Sequence, residues 1–311
     1  MTSLFKKPSE LAINSTIKVL VYGAPGMGKS TLGLSAPSPV LLDFDGGVQR
    51  VNGAFQVPTL QVEKWDDVIA ALNEDLSEYK TIVIDTAGKA LDFMSAYIIK
   101  NEPKLAKRDG SLSLQGFGAR KNMFINFLKQ VSMMGKNLVF IAHEREEKDG
   151  EQKIVRPEMG GSSVGDLIKE LDLVGYMQAY GEKRYVYWGV NEKAYTKNTC
   201  NLPNAMEVPT IINEKGTVTG ENKFLSNIFT SYHTYLKNER ETRKEYDELV
   251  DAAKEDIEAI VDASTANDFC KAFSDTKQIW DSKLKIGMLV KEKCDKLGLK
   301  FDKKTKKYAQ I

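Results

Sequence analysis

Residues Gly23, Ala24, Pro25, Gly26, Met27, Gly28, Lys29 and Ser30 satisfy the pattern G-x-x-x-x-G-K-[ST] at every position. Each residue type has its own chemical use. Glycine lets successive backbone N–H groups curl round a phosphate with no Cβ in the way. A helix that starts where the run ends points its positive end at the same anion. The Lys29 ammonium can reach the β- and γ-phosphates of a nucleotide, and the Ser30 hydroxyl can ligate Mg²⁺. The segment 23–31, closed by Thr31, therefore predicts a nucleoside triphosphate with Mg²⁺. A chance match in a chain of this length has odds of roughly one in a hundred, given a glycine frequency of about 7%.

Three further positions carry side chains suited to the same chemistry. The run Thr81-Ile-Val-Ile-Asp85 is an apolar, β-branched strand pattern that ends in a carboxylate. There it can hold the Mg²⁺ shell beside Ser30. Val40-Leu-Leu-Asp43-Phe-Asp45 ends in two carboxylates that share one face at period two. Asp45 lies nearer the exit of the strand and is assigned the activation of the attacking water; the competing reading is that both carboxylates cap the Gly46-Gly47 turn. His143 follows the run 137–142 directly, where a polar side chain can contact the γ-phosphate and report its loss to the segment behind it. The competing reading there is a satisfied surface histidine. Asp85-Thr-Ala-Gly88 also reads as D-x-x-G, a GTPase pattern, but the N-K-x-D sequence of a guanine pocket is missing: Asn222-Lys-Phe-Leu225 lacks the Asp. ATP is favoured over GTP.

These residues need a scaffold that brings strand ends together. Residues 17–22, 40–44, 81–85 and 137–142 read as buried strands. Helical patterns fall between them, at 64–76, 89–99 and 120–134, with a helix opening at Ser30 and stopped by Pro37 and Pro39. Strand and helix alternate, which predicts an α/β fold: a mainly parallel sheet covered by helices on both faces. Residues 101–118 read as a loop, and 144–163 as a long mobile one, polar and rich in glycine. A short helix over 163–170, strands at 171–180 and 184–190, and a further strand near 208–212 complete the core. From about Asn222 onward the pattern is all-helical. The expected division is an N-terminal extension at 1–16, a core at 17–220 and a helical C-terminal region at 221–311.

The chain is 42% hydrophobic and 28% charged, with a net charge of +1, so no global field selects nucleic acid or membrane. The near-zero total hides two opposite blocks: eleven acidic and four basic side chains over 239–268, then twelve lysines and five acidic residues over 269–311. The bland reading of the lysine block is a solvated helix face. Cys200, Cys270 and Cys294 are widely spaced, odd in number and read as reduced thiols of a cytosolic protein. No apolar run approaches the ~20 residues of a membrane span, and no His/Cys pattern predicts zinc.

Taken in order, these segments resemble the RecA-like P-loop ATPases, over about residues 15–215. Leu41-Leu-Asp-Phe-Asp45 is similar to the strand that ends in that family's catalytic carboxylate, with Asp45 where Glu is usual. Leu138–His143 is similar to the strand whose terminal residue senses the γ-phosphate. The polar stretch 144–159 matches the mobile DNA-binding loop in position, and Gly160-Gly-Ser-Ser-Val is similar to the segment that closes it. Tyr195-Thr-Lys197-Asn198 resembles a K-N-K segment whose lysines reach a neighbouring subunit's ATP; Thr199 replaces the second lysine, so Lys197 alone carries over. The nearest likeness is to phage-encoded proteins of the Sak type, linked to single-strand annealing and recombination. That resemblance implies ATP and Mg²⁺ as cofactors and a cytoplasmic setting. The partners it implies are single-stranded DNA, further copies of the chain across the ATP site, and phage recombination or single-strand-binding proteins.

Two rivals stand beside a DNA-stimulated ATPase. A P-loop kinase or GTPase would need an acceptor pocket or a guanine signature, neither of which the sequence displays. An assembly scaffold switched by ATP would hydrolyse slowly and dispense with Asp45.

Overall fold

A computed structural model describes residues 4–11, 16–149, 152–160 and 164–310. In chain order the regular elements are β1 (Lys18–Gly23), α1 (Lys29–Gly33), β2 (Pro39–Asp43), β3 (Thr59–Gln61), α2 (Trp65–Ala71), β4 (Thr81–Asp85), α3 (Ala87–Asn101), α4 (Leu114–Met133), β5 (Asn137–Asp149) and β6 (Gln152–Pro157). They continue with α5 (Val164–Lys169), β7 (Leu173–Tyr180), β8 (Lys183–Tyr187), β9 (Lys197–Asn198), β10 (Ala205–Val208), α6 (Phe224–Glu258), α7 (Ala263–Ser274), α8 (Ser282–Lys296), β11 (Leu299–Asp302) and β12 (Lys307–Gln310). Two compact units result: Ser15–Tyr232, and Met1–Asn14 together with His233–Ile311.

The larger unit is built on a ten-stranded sheet whose main path runs β10-β8-β7-β1-β5-β4-β2-β3. Pairing is parallel from β3 through β2, β4, β5 and β1 to β7, and antiparallel where β8, β10 and β9 join. The α/β expectation from alternating strand and helix patterns is met. Because β1 lies between two parallel neighbours, it is buried on both faces, which explains its unbroken apolar sequence. Leu20 and Tyr22 pack on one side with α3 and α4, and Val19 and Val21 on the other with α1 and the start of α6. Helix α3 buries Ala90, Leu91, Met94 and Ile98 at helical spacing and is capped by Thr86, whose hydroxyl accepts from the Lys89 N–H.

Three segments differ from the sequence reading. The stretch 144–163 was expected to be a mobile loop; instead β5 runs on past the sheet to Asp149 and pairs antiparallel with β6, from Glu144 opposite Pro157 to Asp149 opposite Gln152. Residues 150–151 and 161–163 lie outside the described residues, and so does part of the expected Gly-Gly closing segment. The loop expected over 101–118 ends early, because Ser113 caps α4 by accepting from the Gly116 N–H. Gly116 lowers helix propensity, yet its lack of a Cβ is needed: one there would stand 2.8 Å from the Leu105 carbonyl oxygen. The C-terminal region is helical through α8, but the chain closes with the β11–β12 hairpin rather than a helix.

In the smaller unit α6, α7 and α8 bury Tyr246, Val250, Ile257, Ile286, Val290 and Cys294. The N-terminal segment belongs to this unit: Lys7 Nζ lies 2.7 Å from Asp251 Oδ2, and Ser9 Oγ donates to Asp247 Oδ2. The pair at Asp251 holds that carboxyl down at about 2. Burial pushes the Cys200 thiol of the larger unit up to about 11. Among the described residues no helix is long and apolar enough to cross a membrane.

Candidate functional site

The parallel strands set one register at their carboxyl ends. Gly23 stands opposite His143 on one side and Met177 on the other, while Asp85 stands opposite Asp43 and Ile141. Ligands of open α/β sheets bind at this edge. Here it opens into a cavity of about 420 Å³ lined by Pro25, Gly26, Gly28, Lys29, Ser30 and Thr31 and also by Asp45, Asp85 and His143. Side chains from four strand ends, separated by up to 118 positions in the chain, thus meet where the sequence patterns place a triphosphate.

The glycines are required by geometry. Gly26 and Gly28 have φ of 78° and 82°, a region that side chains disfavour. A Cβ on Gly23 would fall 2.4 Å from the Met177 carbonyl oxygen, because β1 and β7 run too close for one. Gly28 is the N-cap of α1, so the free N–H groups of the first turn face the cavity mouth. Lys29 is buried, and its Nζ donates to the Ala24 carbonyl at 2.7 Å. Burial lowers its pKa, while Asp85 and Glu144 act in the opposite sense. An ammonium held at a desolvation cost beside exposed N–H groups is suited to an anion of high charge.

Ser30 Oγ donates to Asp85 Oδ2 at 2.5 Å. Burial raises the Asp85 pKa; Ser30 counters it, and Asp43 and Asp45 add to it. A hydroxyl and a carboxylate form an oxygen donor set for a hard cation, and Mg²⁺ keeps several waters and takes its other ligands from phosphates. Ser30 and Asp85 are the residues that would hold such a cation here. Bound there, Mg²⁺ would offset phosphate charge as the terminal phosphoryl leaves.

The two carboxylates at and just beyond the end of β2 differ in their contacts. Asp43 is buried and accepts from the N–H groups of Asp45, Gly47 and Val48, so the turn-capping reading holds for it. Asp45 lines the cavity, where its carboxylate can take a proton from water, and Arg50 Nη2 donates to it at 3.1 Å. His143 also lines the cavity, and its Nδ1 is buried with no hydrogen-bond partner among the described residues, which leaves a polar atom for a ligand or water. Gly88 of the D-x-x-G pattern sits in the first turn of α3, where a Cβ would lie 2.7 Å from the Glu158 carbonyl oxygen. Packing against that segment accounts for this glycine.

Lys197 is not brought to the cavity of its own chain. Its ammonium donates to the carbonyls of Lys169 and Leu171 at the end of α5. Two residues that sequence reasoning passed over do stand near the loop. Arg184 of β8 donates to the Met27 carbonyl at 3.3 Å. Its signal was a charged residue on the same strand face as buried Val186 and Trp188. Glu144, next to His143, keeps a buried Oε2 without a hydrogen-bond partner among the described residues, and its charge acts on both Lys29 and Tyr176. Burial first, then Glu144, pushes the Tyr176 phenol up to about 12.

A glycine-lined helix N-terminus, a buried lysine and a Ser–Asp pair at the carboxyl edge of a mainly parallel sheet define the class of P-loop nucleotide-binding proteins. The chain belongs to an AAA domain family, whose model matches residues 15–200. No curated protein matches it. Among solved structures it is similar to a KaiC-like protein from the hyperthermophilic archaeon Pyrococcus horikoshii OT3, at 11% identity over 56% of this chain and 78% of that one, with a TM-score of 0.35. It is also similar to the flagellar accessory protein FlaH from Methanocaldococcus jannaschii, at 10% identity over 67% and 91% of the two chains, with a TM-score of 0.38.

Proposed function

We propose that this protein is an Mg²⁺-dependent ATPase whose turnover is coupled to single-stranded DNA, and that it serves recombination or strand annealing of the kind phages encode. The observation that carries the ATPase reading is the Ser30–Asp85 contact beside buried Lys29, in one cavity with Asp45 and His143. Lys29 and the amides of α1 hold the phosphates, Ser30 and Asp85 hold the cation, Asp45 accepts a proton from the attacking water, and His143 senses the γ-phosphate.

The coupling to DNA rests on strand continuity. His143, in the cavity, and residues 144–149 belong to the same strand, β5, which pairs with β6, so a shift of His143 is passed along β5 without an intervening joint. The hairpin carries Arg145, Lys148, Lys153 and Arg156 for phosphate contacts. Glu147 pairs with both arginines and Glu146 with Lys153, so the reading calls for modest, salt-sensitive affinity. Assembly of several copies across the ATP site, with Lys197 released from its carbonyls toward a neighbour's nucleotide, belongs to the same proposal.

The test is ATP and GTP turnover with Mg²⁺, with and without single-stranded DNA, for wild type and Lys29→Ala. ATP hydrolysis that rises with DNA and vanishes in the variant is expected. A rate indifferent to DNA would remove the coupling, and a variant as fast as wild type would remove the site.

A further inference from the structure

A hollow of about 480 Å³ lies where α2, α3 and α4 meet, and it shares no lining residue with the phosphate cavity. Its volume falls within the ~300–1,000 Å³ of whole-ligand sites. The floor is apolar and held in place. Trp65 and Phe127 are buried and meet edge to face with ring centroids 5.6 Å apart, and Phe44 stacks on Trp65 at 6.2 Å. Ile69 stands exposed on the α2 wall, an apolar side chain left for a ligand to cover. Trp65 and Tyr97 also line an adjoining hollow of about 360 Å³. The two together make an elongated surface, which suits a chain better than a compact molecule.

The rim on the α4 side is a row of carboxamides. Asn122, Asn126 and Gln130 line the hollow and are exposed, at a four-residue spacing that stacks side chains on one helix face. At 1.5 Å per residue they stand about 6 Å apart. None of the three carboxamides has a hydrogen-bond partner among the described residues, whereas Asn101 of the same lining donates to the Tyr97 carbonyl at 2.8 Å. A carboxamide presents a donor and an acceptor side by side, the complement of the C=O and N–H of a peptide. In an extended chain the backbone groups that face one way recur at every second residue, about 6.6 Å apart. The row therefore follows alternate residues of an extended backbone, and Gln130, one methylene longer than asparagine, takes up the mismatch that accumulates at the end. Glu102 is the one charged side chain among the described residues that line the hollow, so no cation is there to meet phosphates. An uncharged chain fits, and a nucleic acid does not.

We infer that this groove docks an extended, uncharged peptide segment of a partner protein, with apolar side chains at alternate positions set on Trp65 and Tyr97 and the backbone held by Asn122, Asn126 and Gln130. The test starts with selection from a displayed library of short random peptides on the wild-type protein. The enriched peptides, synthesised with capped ends, are then titrated by fluorescence anisotropy against wild type, Asn126→Ala and Ile69→Asp. The expected set carries apolar residues at alternate positions and no net charge, and binds each variant at least tenfold more weakly than wild type. Both substituted positions are exposed, so thermal melts of the variants should coincide with that of wild type. A second measurement needs no variant: methylation of alternate backbone nitrogens in the peptide should weaken binding to wild type at least tenfold, a loss that an apolar groove alone would not produce. No enrichment over the bare support, enrichment of strongly charged peptides, equal binding to wild type and both variants, or indifference to methylation would each overturn the peptide site.

Discussion

Ser30 and Asp85 are 55 positions apart in the chain, yet the Ser30 hydroxyl donates to the Asp85 carboxylate at 2.5 Å. The contact exists because β4 ends level with the first turn of α1, and it places a buried carboxylate where a cation can bridge it to phosphate. Asp85 has its pKa raised, chiefly by burial. An acid with a raised folded pKa favours the folded state below the ordinary carboxylate range, and that contribution is lost as pH rises through the folded value. In the absence of nucleotide and Mg²⁺, Asp85→Asn is therefore expected to be more stable than wild type at neutral pH by about 1 kcal/mol, and to lose the acid-side rise in stability. Turnover should fall by about 10²-fold or more in Asp85→Asn, a loss on the scale of one removed charge-stabilising group, and Ser30→Ala should need more Mg²⁺. Thermal melts across pH and Mg²⁺ titrations of turnover check this. A less stable Asp85→Asn, or one that keeps its turnover, would contradict it.

Legibility in the sequence followed the range of the contacts. The phosphate loop was readable because its amides, lysine and serine are neighbours along the chain. Asp85 was readable because an apolar run sets its place at a strand end. The pairing of Glu144–Asp149 with Gln152–Pro157 was not, since the first of these strands is charged at every position and shows no apolar face; backbone pairing, ion pairs at Glu146 and Glu147, and the packing of Val155 against the core hold it instead. Arg184 has a local mark, a charge on the strand face of Val186 and Trp188, but its bond to the Met27 carbonyl 157 residues away is not encoded there. Asp43 and Asp45 share a strand face on paper, but the strand stops at Asp43, and the turn through Gly46, at φ of 64°, folds its amides back onto Asp43.

That division between Asp43 and Asp45 separates stability from turnover. Asp43→Ala leaves three N–H groups without their acceptor and should cost about 3 kcal/mol. Asp45→Ala loses an exposed ion pair with Arg50, worth under ~1 kcal/mol, and should cost about 10²-fold in turnover, as removal of a general base does. Denaturant unfolding and steady-state rates for both variants decide the matter. The reverse pattern, a stable and inactive Asp43→Ala beside an active Asp45→Ala, would move the catalytic assignment to Asp43.

Lys29 gives a pH signature on the alkaline side. Burial depresses its pKa below the ordinary 10.5. A base with a depressed folded pKa binds its proton less well folded than unfolded, so stability rises with pH through the window just below 10.5, and the charged form is the less stable one. Lys29→Met should flatten that rise and, without nucleotide, gain about 1 kcal/mol at pH 7. ATP at a hundred times its Kd should stabilise wild type by about 2.7 kcal/mol and the variant hardly at all. Melting curves with and without ATP·Mg²⁺ measure both effects, and equal stabilisation of the two proteins would show that the ammonium does not hold the phosphates.

Glu147 sets how strongly the proposed DNA hairpin can act. It pairs with Arg145, and at 2.7 Å with Arg156 Nε, so one carboxylate restrains two guanidiniums. The pairs are part-exposed, and their loss should cost the fold under ~1 kcal/mol. Glu147→Gln frees both cations for phosphate. Each phosphate newly neutralised on a single strand steepens the dependence of log affinity on log salt by about 0.7, so two guanidiniums should steepen it by about 1.4. Affinity should therefore rise most at low ionic strength, while turnover without DNA stays as in wild type. Anisotropy of a labelled oligonucleotide across a salt series reads the slope directly. A slope identical to that of wild type would mean that DNA, if bound, meets the protein away from this hairpin, and the continuity of β5 from His143 would then couple the nucleotide to something else.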